Sequence, residues 1–67
     1  MEESMYAGFF VSLEVDNTVI AERFVTPAMV KDTISDIIDK EEAGNDEYVI
    51  RVKFGQADRR PRYTVES

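Results

Sequence analysis

From Tyr6 to Val15 the run YAGFFVSLEV sets Phe9, Val11, Leu13 and Val15 at period two, so one face of a strand there is continuously apolar. Asp16-Asn17 follows, two residues that tolerate the positive φ of a two-residue hairpin turn. Thr18–Val25 then returns as a second strand. With Asp16-Asn17 as the whole turn, Val15 faces Thr18, Leu13 faces Ile20, Val11 faces Glu22 and Phe9 faces Phe24. Glu22 is out of place among those apolar neighbours. A position at the sheet margin or a shifted register would relieve it.

Thr26-Pro27 predicts a helix start, with Thr26 as side-chain N-cap and Pro27 at the first helical position. Val30, Ile34, Ile37 and Ile38 fall at i, i+4, i+7 and i+8, a single apolar stripe. Asp32, Asp36 and Asp39 project from the opposite side. Gly44 is the natural stop, because it can turn left-handed past the helix end. Tyr48, Ile50, Val52 and Phe54 then alternate with Val49, Arg51 and Lys53, predicting a strand over Glu47–Gly55. Residues 55–60 read as a loop. Pro61–Glu66 reads as a last short strand with Tyr63 and Val65 inward and Pro61 at an edge or an end.

The predicted order is therefore β-β-α-β-β, an α+β domain with a single four-stranded sheet and one helix packed on one face. If the first and last strands pair in parallel at the centre, the arrangement is β-grasp-like; a fully antiparallel sheet plus one helix is the alternative. Residues 1–67 are expected to form a single domain, with 1–5 and 66–67 fraying at its ends. The likeness is to a fold, not to a family. The chain ends Val65-Glu66-Ser67, without the Gly-Gly tail of ubiquitin-like and sulfur-carrier proteins, so their conjugation chemistry is not implied.

Composition narrows the chemistry. At 67 residues the core is small, and the chain has neither cysteine nor histidine, so disulfides and the usual zinc ligand sets are excluded. Nucleophilic catalysis loses its common nucleophile–base pairs at the same stroke. Ser12, Ser35, Thr18 and Thr33 sit in no setting that would activate them, so no enzyme and no cofactor is expected. Glu41–Glu47 does not match the alternating ligands of a calcium loop and reads as a solvated helix end. The glycines at 8, 44 and 55 build no phosphate-binding loop. No apolar run approaches a membrane span, and Met1-Glu2-Glu3-Ser4 is acidic where a secretory signal would be basic, so a cytoplasmic protein is expected.

Charge is unevenly spread. The net value is −6, but residues 1–48 hold three basic and twelve acidic side chains, and residues 49–67 hold five basic and two acidic. The two faces of the sheet divide this charge. If Phe9, Leu13, Ile20, Phe24, Ile50, Val52 and Phe54 pack on the helix, the outward face carries Phe10, Val19, Val25 and Val49 beside Arg23, Arg51, Lys53 and Arg62. Arg59 and Arg60 adjoin it. Apolar residues rimmed by arginine suit a protein interface, with an acidic partner surface or a second copy of the chain as occupant. The expected function is a small non-catalytic interaction or regulatory module. An ordinary solvated sheet ranks next. A single-stranded nucleic-acid platform ranks below both, since only Phe10 is placed to stack and the net charge is adverse. A separate alternative is an acidic inhibitor of a nucleic-acid-binding protein, acting through Asp32, Asp36 and Asp39.

Overall fold

Strand β1, Tyr6–Val15, has buried residues on both faces, Val11 and Leu13 on one and Gly8 and Ser12 on the other, and takes the centre of the sheet. In the computed structural model, which describes residues 5–45 and 47–62, β1 is flanked by β2 (Thr18–Val25) and β3 (Tyr48–Ala57) in the order β2-β1-β3. Both pairings are antiparallel. The flanking strands therefore run parallel to each other, and helix α1 (Val30–Lys40) is the crossover between them. The β1–β2 turn is the expected one: Asp16 and Asn17 have φ of 55° and 64°, the left-handed pair a tight hairpin requires.

The four-stranded, β-grasp-like sheet is corrected to three antiparallel strands with one helix. β3 pairs along the whole of β1, from Tyr6↔Ala57 to Val15↔Tyr48, and so fills the place beside β1 that a parallel last strand would need. Gln56 and Ala57, expected in a loop, are drawn into that ladder. Of the expected Pro61–Glu66 strand, Arg62 makes an isolated parallel bridge to Val25 at the outer edge of β2. Residues 63–66 of that expectation lie outside the described residues.

The register of β2 is also corrected. Leu13 pairs with Ala21 and Glu14 with Val19, leaving Ile20 as the extra residue of a β-bulge. One inserted residue turns every later side chain of β2 over. Ala21, Arg23 and Val25 face the helix, and Glu22 and Phe24 face the open side. The physical gain is direct. Glu22 leaves Val11 for Ser12, and Val25 becomes 1% exposed in the core, while Ile20 is left outside at 42%. Burial of an unpaired carboxylate, which costs several kcal/mol, is avoided at the cost of one exposed isoleucine.

The helix starts and stops differently from expectation. Thr26 caps a short 3₁₀ turn, Pro27–Met29, with its carbonyl accepting from the Met29 amide at 2.9 Å; its side chain makes no cap bond. The stop is Glu42 at φ 55°, two residues past the last helical position, and Gly44 is not left-handed. The stripe itself stands: Ile37 is fully buried, with Val30, Ile34 and Ile38 packed around Val11, Leu13, Ala21 and Val25. α1 packs chiefly on β1 and β2. Val52 and Phe54, expected beneath it, instead stand 45% and 63% exposed.

Candidate interaction surfaces

The open face can be read row by row across the three strands. Val19, Glu14 and Val49 form one row, Glu22, Ser12 and Arg51 the next, and Phe24, Phe10 and Lys53 the third. Beyond them Gly8 pairs with Gly55, and Tyr6 with Ala57. The two glycines are floors for the two rings. A Cβ on Gly8 would come within 2.9 Å of the Phe24 ring and of the Val25 carbonyl, and one on Gly55 within 3.0 Å of the Phe10 ring. Phe10 and Phe24 lie 4.6 Å apart between centroids, and Phe24 is only 3% exposed. This part of the face fills itself and leaves little aromatic surface for stacking a base.

Its charge is also more balanced than the sequence suggests. Arg51 Nε donates to Glu14 Oε2 at 2.6 Å, and Glu22 has arrived on this side through the bulge. Two carboxylates thus balance Arg51 and Lys53. Of the residues assigned outward from sequence, Phe10, Val19, Val49, Arg51 and Lys53 stand on this face. Arg23 and Val25 do not, because the bulge carried them to the helix side, and Arg62 lies at the outer edge of β2.

The basic residues gather elsewhere. Segment 58–62 folds back from the end of β3 to the edge of β2, pinned by the Arg62 amide on the Phe24 carbonyl (3.0 Å) and the Thr26 amide on the Arg62 carbonyl (3.1 Å). On its way Arg59 lies 5.7 Å above the Phe24 ring and Arg60 5.7 Å from the Tyr6 ring. Between this segment, β2 and α1 opens a groove of about 510 Å³. Arg23, Arg59, Arg60, Arg62 and Lys40 line it, against Glu22 and Asp36. Arg23 reaches it although its Cα faces the helix, because β2 is an edge strand and the long stem can turn outward. Its Nη1 donates to the Glu22 carbonyl at 2.9 Å.

Thr33 also lines the groove. It is 2% exposed, and its hydroxyl has no partner among the described residues. The acidic helix column is divided by the same groove. Asp36 is half-buried in its wall and pairs with Lys40 at 3.6 Å, leaving Asp32 and Asp39 exposed on the outer face. A second concavity, at the hairpin end, brings Glu14, Asp16 and Glu47 near Tyr48 and Val49. Among the described residues no group of three or more acidic side chains is disposed to hold a metal ion, and no helix is long and apolar enough to cross a membrane.

The sequence marked Arg23, Arg59, Arg60 and Arg62 but not the groove that joins them, nor Lys40 and Thr33 as members of it. The adjacency of Arg59, Arg60 and Arg62 was its one visible signal. Compared with known protein families, characterised proteins and solved structures, the chain matches none.

Proposed function

We propose that this protein is a non-catalytic interaction module that recognises an acidic surface on a partner protein through the arginine-lined groove at the β2 edge. The observation that carries this reading is the convergence of four arginines and a lysine on one groove in a chain of net charge −6. Cations gathered against the trend of the whole molecule steer and orient an acidic partner more than they stabilise the fold. Arg59 and Arg60 are held against aromatic rings, which fixes their position at the wall of the groove. A cytoplasmic setting suits a chain without cysteine.

The acidic-helix reading draws less support, since Asp36 spends its charge on Lys40. A nucleic-acid platform draws less again, since Phe24 is covered, Phe10 and Tyr6 are only partly open and Arg60 lies against the Tyr6 ring. The test is binding of a fluorescent Glu/Asp-rich peptide and of a single-stranded oligonucleotide. The peptide is expected to bind, and Arg59→Glu/Arg60→Glu to abolish binding while Arg51→Glu retains it. Equal binding by the Arg59→Glu/Arg60→Glu variant, or preference for the oligonucleotide, would overturn the assignment.

A further inference from the structure

β3 is a ten-residue edge strand whose outer side pairs with no other strand among the described residues. Four of the exposed large apolar side chains belong to it: Tyr48, Val49, Val52 and Phe54. The helix stops short of them, so on that side the apolar surface of β3 runs to the edge of the sheet. A long edge strand with exposed apolar side chains is a template for another strand. The occupant must supply apolar side chains on the helix side and a carboxylate opposite Lys53 on the open side, where Arg51 is already paired with Glu14.

We infer that a second copy of this chain supplies that strand, through antiparallel β3–β3 pairing about a two-fold axis at Ile50. In this register Ile50 meets Ile50 of the second copy, and Val52 meets Tyr48, all on the helix side. On the open side Arg51 meets Val49, and Lys53 meets Glu47, the exposed residue just before β3. Each opposite-charge pair occurs twice by symmetry. Charge rejects the neighbouring registers on one side and apolar pairing the one on the other, where Arg51 would meet Glu47. Centring on Arg51 sets that cation against itself, and centring on Val52 sets Lys53 against Arg51. A shift the other way leaves Val52 without a strand residue opposite it. The axis is perpendicular to the sheet, so both helices lie on one side of a six-stranded antiparallel sheet. The two arginine grooves then stand at its far ends, unobstructed.

The experiment is sedimentation equilibrium of the full chain over a concentration series, with three variants. Wild type is expected to dimerise reversibly. Lys53→Glu and Glu47→Lys each set like charges opposite one another at both symmetric positions, and each is expected to weaken the dimer by roughly thirtyfold. The double variant Glu47→Lys/Lys53→Glu restores the opposite-charge pairs and is expected to return close to the wild-type value. Both residues are exposed, and circular dichroism checks that each variant is folded. A wild type that stays monomeric at every concentration overturns the inference and leaves Lys53 as a charge that keeps the edge unpaired. A dimer that neither single reversal weakens, or that the double variant does not restore, overturns the register.

Discussion

The two edges of one three-stranded sheet are finished in opposite ways. At β2 the edge is closed: a bulge twists it, Arg62 bridges to Val25, and the helix and segment 58–62 meet above a charged groove. At β3 the ladder to β1 is unbroken, no other strand pairs with the outer side among the described residues, and Val52 and Phe54 stand exposed. Bulges and covering segments are among the ways sheets avoid pairing with other chains, and among the described residues both lie on the β2 side. The difference teaches that burial in this fold is lopsided. Val11, Leu13 and Val25 carry the core on the β2 side, and β3 is held mainly by its ladder to β1.

That asymmetry can be broken most sharply by the same substitution on either side. Val25→Asp puts a carboxylate into a site 1% exposed, and should destabilise the chain by about 3 kcal/mol or more, enough to unfold a domain this small. Val52→Asp at 45% exposure should cost less than about 1 kcal/mol in the monomer. Urea unfolding at low protein concentration measures both, and comparable losses would mean that β3 is as deeply packed as β2.

The paired glycines give a smaller version of the contrast. Gly8→Ala places a methyl 2.9 Å from both the Phe24 ring and the Val25 backbone, which cannot yield easily, and should cost about 1–3 kcal/mol. Gly55→Ala meets only the partly exposed Phe10 ring at 3.0 Å, which can move aside, and should cost less than half as much. Equal midpoint shifts in the two variants would show that the Phe24 side has no special rigidity. The smallest expected effect has the opposite sign. Thr33→Val removes a buried hydroxyl without a partner and keeps the shape, so a gain of about 1 kcal/mol is expected. A loss on unfolding would show that the hydroxyl is satisfied in solution.

Much of this was legible in the chain. Period-two runs gave β1 and β3, Asp16-Asn17 gave the turn with both residues left-handed, and the stripe at Val30, Ile34, Ile37 and Ile38 gave the helix face. The bulge was not legible as such. TVIAERFV offers an apolar set in either phase, and the only mark against the unbroken register was Glu22 facing Val11. That single residue carried the information, because an unpaired buried carboxylate costs more than an exposed Ile20. Which strands the helix covers was hidden for a different reason. Alternation says that Val52 and Phe54 share a face with Leu13, but not that a helix of eleven residues packs chiefly on β1 and β2, reaching β3 only at Ile50 and leaving Val52 and Phe54 exposed. The groove was hidden because Arg23, Lys40 and Arg62 meet only through the fold. Its neighbours Arg59 and Arg60 were visible as a pair, without the rings that hold them.

The central claim is that the two edges do different work: β2 with segment 58–62 meets an acidic partner, and β3 meets a second copy. Residue-resolved amide hydrogen exchange tests both halves in one data set, recorded across a protein concentration series with and without an acidic peptide. The account predicts that outward-pointing β3 amides gain protection with protein concentration alone, while changes on adding peptide are confined to β2 and residues 58–62. Protection of β3 by the peptide, or exchange at both edges that is indifferent to concentration and peptide, would contradict it.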